Sequence, residues 1–555
     1  MKRISLILFC LLFAQSVIGQ KYFEVYFENS INFNDFYAET DTIWGVGNFY
    51  NDLTAKWEAV LYEIVGAEVQ EIARIANDSL DHFGMGLSGN NSYLIIAGSA
   101  DFEDGTRGPA YFVYNRQTGD QSIMPLYIGG GVVRHIKKLS NGDFLIGGFA
   151  IYPDFFWNWV PLLARVSPTG QFLWRQFYED YPPRASWAVP YETSSGELLV
   201  PGFIDAPFDV SAGVPILVSI DGEGNILQEL TYEEETMGYF GEILEGIGEN
   251  LFITGDTGET NDCVYKLNAD KEIEWIVPLS FENTCGPSNL YFTHQGHLQV
   301  AQCYSDPNEL GSTDARINII DTSGFLIRSV IYGGDAADYF YGMTPTPDGA
   351  FLYGGRTDSY EGSQAYLVKA NCMGFLTEPE AHFTYSLNGL ELQVENQSQF
   401  VYPDSIDGGH YLWYLEGELA SSERHPVLNL PESGAYNLEL LAVVCSDTSR
   451  MLSCISLDGS ECADLTAITD FEISTIQITP NPATNQLTAQ LPMGYIDCSF
   501  IVHDLKGKQV MAAGELANNA TELKLDVSAY PVGIYVLQFM NKEKEQLAQS
   551  RFVKQ

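Results

Sequence analysis

A chain of 555 residues with 13% aromatic and only 18% charged side chains is long enough for several packed cores and too apolar for a disordered polymer. Its 28 basic and 73 acidic residues give a formal charge of −45, which argues against binding nucleic acid or anionic lipid. Such a surface tolerates basic partners or divalent cations, and it also serves solubility alone.

The chain opens with "MKRISLILFCLLFAQSVIGQ", in which Lys2 and Arg3 precede an apolar run from Ile4 to Ala14 and the small residue Gly19. This reads as a secretory signal peptide over residues 1–19. The run is too short to span a bilayer and no later stretch reaches that length, so no membrane-spanning segment is expected. Export implies an oxidising compartment for the eight cysteines that follow Cys10. Cys445 and Cys454 flank "SDTSRMLS", which suits a disulfide across a hairpin as well as two separate thiols. None of the cysteines has the CxxC spacing of a zinc or redox site.

From there one unit recurs. Short apolar strands end at Gly47, Gly98, Gly148, Gly202, Gly255, Cys303 and Gly355, in "IWGVG", "LIIAG", "FLIGG", "LLVPG", "FITG", "QVAQC" and "FLYGG". A second anchor follows each, as in "LARVSPTGQFLW" and "LVSIDGEGNILQ". Each unit reads as four short strands, the first two joined by a tight turn ("SNGD", "PDGA") and the last two by "PTG", "GEG" or "TSG". A lone four-stranded sheet cannot bury both faces, but seven packed radially can if the ring closes. The last copy, "AYLVKANCMGFLTEPE", stops before its fourth strand. The segment "KYFEVYFENSINFNDFY" resembles a fourth strand with its link, so residues 22–28 are expected to complete the last blade. The expectation for 20–378 is a seven-bladed β-propeller closed by its N-terminal strand.

Residues 380–458 lose the repeat anchors. Phe383, "VENQS", "YLWYL" with Trp413, Pro426 and "SGAYNLEL" resemble a polycystic-kidney-disease-type (PKD) immunoglobulin-like β-sandwich, although "WYLEGE" departs from that family's Trp-x-Phe-Gly-Asp-Gly stretch. The resemblance implies a spacer or adhesion module. A polar linker (459–474) leads to 475–555, expected as a small C-terminal β-sandwich in an all-β chain. There Pro480-Asn481-Pro482, Asp504 and Gly507 in "DLKGK", and Pro531, Gly533 and Tyr535 in "YPVGIY" resemble the type A sorting domain of the type IX secretion system. That resemblance implies export through the periplasm and outer membrane by the type IX machinery, followed by removal of the domain by a sortase-like protease. The product is secreted or held at the outer cell surface.

Chemical motifs are sparse. "GMGLSG" (84–89) satisfies GxGxxG but opens no helix, and reads as loop and turn. His294 and His297 lie at a hairpin turn with no third metal ligand, and are expected to be exposed. "DFEDG" and "DGEGN" suggest calcium loops, but neither places a Gly sixth or a Glu twelfth, so no cofactor or metal is assigned. The loops joining second to third strands share one face with the links between blades, and they are acidic and aromatic. Ligand contacts are therefore placed there, with Phe155, Phe156, Trp157 and Trp159 as stacking platforms and Asp101, Asp154, Asp205, Asp256, Asp306 and Asp358 as polar contacts. The bland reading, favoured for any one of these residues, is that the aromatics pack beneath their own loop and the acids are solvated. The functional expectation is an exported, non-enzymatic binding or adhesion protein for a glycan or protein ligand. The competing one is a secreted propeller enzyme, a hydrolase or lyase acting on polysaccharide, which would gather acid, base or metal ligands at the central channel.

Overall fold

The computed structural model describes residues 21–459 and 474–554, apart from 28–31, 40–41, 76–79, 104, 128, 153–158, 182–183, 207–208, 233–237, 258–259, 281–288, 294–295, 306–312, 360–361, 402–408, 446, 476, 480–482, 484, 491–498, 505–508, 516–521, 531–532 and 541–545. It divides into two compact units, 1–460 and 461–555.

Among the described residues of the first unit, seven antiparallel sheets follow one another along the chain. In the first, Asn32–Ala38, Ile43–Asn51, Lys56–Val65 and Glu68–Ile75 pair in sequence order. The first strand of each sheet touches the preceding sheet around the whole circuit, and Asn32–Ala38 of the first packs on Asp338–Pro345 of the seventh. Outer strands such as Ile226–Thr231 are largely exposed, whereas the second and third strands are almost wholly buried. The seventh sheet takes its outer strand from the other end of the chain. Phe23–Phe27 pairs antiparallel with Gln364–Ala370, from Phe23 opposite Lys369 to Phe27 opposite Ala365. Both ladders lose an open edge, and a closed β-propeller results.

The repeat-ending glycines have a backbone cause. A bulge interrupts the inner strand opposite this region in five sheets, between Phe33 and Asp35, Gly84 and Gly86, Val133 and His135, Phe240 and Ile243, and Phe340 and Gly342. The extra residue kinks the strand and turns a carbonyl onto its neighbour. A Cβ at Gly98 would lie 1.8 Å from the Phe83 oxygen, one at Gly355 1.8 Å from that of Tyr339, and one at Gly47 2.0 Å from that of Asn32. Only a residue without a side chain fits. The sixth unit carries Cys303 instead, and its described inner strand, Leu290–Phe292, pairs only with Leu298 to Val300. The same packing corrects the reading of "GMGLSG" as loop and turn. It forms the inner strand His82–Gly89, where a Cβ on Gly86 would sit 2.5 Å from the Arg134 oxygen of the next blade.

Residues 380–458 form a three-stranded and a four-stranded sheet, with Trp413 fully buried and in edge contact with Phe383. This sandwich shares one apolar core with the last two blades, running from Ile317 and Tyr366 through Met373 to Leu440 and Ile455. The Cys445–Cys454 bridge that the hairpin spacing allowed is not formed. Cys445 instead joins Cys372, in the turn after Gln364–Ala370, across a separation of 73 residues, and Cys454 is engaged in another disulfide. Spacing within one hairpin could not show that the last propeller turn lies against the sandwich. Lys21 and Tyr22, just ahead of the closing strand, both bond the Asp447 carboxylate. The ring closure is thus clamped by the sandwich. Cys263 is a buried free thiol.

The second unit is a small two-sheet sandwich. Gly533–Met540 lies between Ser499–Asp504 and Gln546–Lys554, facing a sheet of Gln477–Thr479, Gln486–Gln490 and Glu522–Asp526. Its core holds Leu487, Val502, Leu525, Tyr535, Leu537 and Phe552, with Tyr535 stacked on Phe552 at 5.5 Å.

Candidate functional site

The rim residues nominated from sequence fall into three groups. Asp154, Phe155, Phe156, Trp157 and Asp306 lie outside the described residues, and only the backbone of Asp205 is described. Asp101 and Asp358 are held by arginines of their own blades. Arg107 reaches Asp101 at 2.6 Å and Asp81 at 2.8 Å, and Arg356 reaches Asp358 at 2.5 Å. Burial opposes ionisation at both acids, but these charged hydrogen bonds outweigh it and keep both below the usual carboxylate range. Trp159 is half-buried and stacks on Phe149 at 4.6 Å, with Arg184 over its ring. Asp256 differs, because burial raises its pKa to about 6, and the same surroundings push the Tyr239 hydroxyl far up.

A second cluster, absent from the sequence reading, lines the ring axis. The bulges place Asn34, Asp35, Arg134, Glu242 and Tyr341 on the inner strands, the edge of each sheet that borders the central channel of a propeller. The Asp35 carboxylate accepts from the backbone N–H of Phe36 and, across the blade junction, from that of Leu87, both at 2.8 Å. Glu242 accepts from Leu290 N–H of the next blade at 2.8 Å, and the Asn289 amide oxygen accepts from Met343 N–H of the blade after, also at 2.8 Å. These side chains therefore pin neighbouring blades. Burial raises Asp35 to about 7 against those N–H donors, with Glu242 adding to the rise and Lys137 opposing it. Glu242 is likewise raised by burial, and Tyr291 is raised by burial and then by both acids. Lys137 sits 5.6 Å from the Tyr191 ring. Burial, reinforced by Arg134, lowers His135 to about 3, so it is neutral near pH 7.

The structure thus brings together acids and tyrosines that sequence reasoning missed. Asn34, Met85, Arg134 and Tyr341 each precede their repeat glycine by 13 or 14 residues, so counting back from the anchors would have found the ring. His297 is buried, not exposed, because its turn folds under Thr293, whose hydroxyl accepts the His297 N–H; His294 lies outside the described residues. Among the described residues no group of three or more His, Cys, Asp or Glu side chains is placed to hold a metal ion. A cleft between blades three and four is lined by Arg165, Glu192 and Asp221, but Arg165 is already bonded to Asp143 and to the Gly222 carbonyl.

Fold and site together define a closed β-propeller with a sandwich clamped to its seam. Residues 477–555 match the family described as the secretion system C-terminal sorting domain. The protein is accordingly an export substrate, destined for the cell surface or the medium. Of the sorting residues, Tyr535 is buried in the domain core and Gly533 opens its strand. Asp504 ends the strand Ser499–Asp504, while Pro480, Asn481, Pro482, Gly507 and Pro531 lie outside the described residues. No described helix is long and apolar enough to cross a membrane. No curated protein matches the chain. Among solved structures it is similar to a Pyrococcus horikoshii acylaminoacyl peptidase (12% identity, TM-score 0.40, 67% of this chain and 59% of that one). Others are the propeller domain of the trilobed protease from Pyrococcus furiosus (13%, 0.41, 63% and 97%) and a protein of unknown function from Dyadobacter fermentans (12%, 0.37, 63% and 98%). The chain spans less than two thirds of the length of that peptidase.

Proposed function

We propose that this chain is an exported recognition or adhesion protein. Its propeller head holds a glycan or protein ligand at the channel, its PKD-like sandwich braces the ring seam and spaces the head, and its sorting domain is cleaved by a sortase-like protease after translocation. The observation that carries this reading is the commitment of the channel acids to framework. Both Asp35 oxygens and one Glu242 oxygen are taken by backbone N–H groups, which leaves a rigid, preorganised lining.

A second reading, a polysaccharide hydrolase or lyase, is favoured by one observation: Asp35 and Glu242, from opposite parts of the ring, both have raised pKa values with Tyr291 in their field. The mature chain should be applied to glycan and protein arrays, and every glycan that binds should then be incubated with it and assayed for new reducing ends or unsaturated products. Binding without product supports recognition. Product formation that Asp35→Asn and Glu242→Gln both abolish would replace it with the enzyme.

A further inference from the structure

In a chain this acidic, arginines find counter-ions readily: Arg107 binds Asp81 and Asp101, and Arg165 binds Asp143. Arg134 differs from these. Among the described residues no carboxylate, carbonyl or ring is bonded to its guanidinium, and its charge acts on the neighbouring His135, which is neutral near pH 7. Its position is not the outer surface. Arg134 is the extra residue of the blade-three bulge, between Val133 and His135, and its backbone oxygen packs against Gly86 of blade two. The side chain is exposed on the inner strand Gly130–Lys138, the strand that borders the channel, and dehydration by the surrounding protein lowers its pKa. A cation in a partly dehydrated passage without a counter-ion is a net cost to the fold.

We propose that Arg134 is the anion-binding residue of the channel and that the ligand of this head presents a single carboxylate to it. The inference rests on the recognition reading and narrows it to a ligand class. The planar five-donor guanidinium matches a carboxylate in bidentate fashion. A surface of charge −45 repels polyanions while leaving a lone carboxylate on an otherwise neutral molecule free to enter. The two sources of such a group are a sugar acid and a peptide C terminus.

The test is titration calorimetry on the mature full-length protein with paired probes: glucuronate against glucose, an N-acetylated dipeptide acid against its amide, and inorganic phosphate alone. One acid should bind about tenfold or more tightly than its neutral partner. Arg134→Gln should reduce that preference to within about threefold, and Arg134→Lys should retain part of it. Arg134→Met, which removes the uncompensated charge, should raise the melting temperature while abolishing the preference, a combination a structural arginine would not give. The pair that responds identifies the source. Acid and neutral probes binding alike, phosphate alone binding, no acid binding, or a lower melting temperature in Arg134→Met would overturn the inference. Neutral ligands held equally by wild type and Arg134→Gln would do so while leaving the recognition head intact. Turnover of an acid probe would overturn the head's non-enzymatic reading and leave the anion site standing.

Discussion

Replacing Gly98 by alanine tests whether the repeat glycines exist to admit a bulged carbonyl. The added Cβ would stand 1.8 Å from the Phe83 oxygen, 3.0 Å from its carbon and 3.1 Å from Phe112 Cε2, in a fully buried strand. Restoring ordinary contact means displacing the inner strand by roughly 1.5 Å. Overpacking of this kind costs roughly 1–3 kcal/mol. The displaced strand also leaves buried ladder groups such as Phe83 and Ser99 without good partners, at about 1–3 kcal/mol each. Together a loss of at least about 3 kcal/mol is expected, measured as a lower urea midpoint by tryptophan fluorescence. Gly434→Ala is the control, since Gly434 has no atom within 4 Å of its would-be Cβ and no left-handed φ; its change should stay within roughly 0.5 kcal/mol. If Gly98→Ala cost no more than Gly434→Ala, the carbonyl explanation of the repeat would be wrong.

Three further outcomes follow from the seam and the channel. Breaking Cys372–Cys445 in a double serine variant frees a 73-residue loop, and the chain-entropy relation puts the loss near ~4 kcal/mol, readable by calorimetry of oxidised protein against the variant. Asp447→Ala removes the acceptor of Lys21 and Tyr22, so amide exchange across Phe23–Phe27 should accelerate ahead of exchange in the inner blades; uniform exchange would show that the sandwich does not clamp the closure. Asp35 has a folded-state pKa near 7 against an ordinary 3.8, so the folded protein keeps a proton through a window in which the unfolded chain has lost it. Stability should therefore fall as pH rises from about 4 to about 7, by at most about 4 kcal/mol, and Asp35→Asn should flatten that slope in pH-dependent urea titrations.

What the sequence disclosed and what it hid have one physical origin. The ring was legible because its construction repeats in the backbone: a carbonyl overhangs Gly47, Gly98, Gly148, Gly202, Gly255 and Gly355, and a side chain is forbidden at each. The closing strand was legible because Phe23–Phe27 carries the pattern of an outer strand at an end of the chain where one was missing. The channel was not, because a bulge constrains the backbone while leaving side-chain chemistry free. Asn34, Met85, Arg134 and Tyr341 occupy like positions yet share no residue type, so no pattern of letters marks them. At the rim residue type says little for the opposite reason: among 73 acids, Asp101 and Asp358 are each held by an arginine two or six positions away. In a chain with this charge balance a carboxylate carries little information, and a cation without one among the described residues, such as Arg134, carries more. That inversion moves the candidate site from the acidic rim to Arg134, and it makes a substitution that strengthens the fold while weakening acid recognition the sharpest discriminator between a binding residue and a framework one.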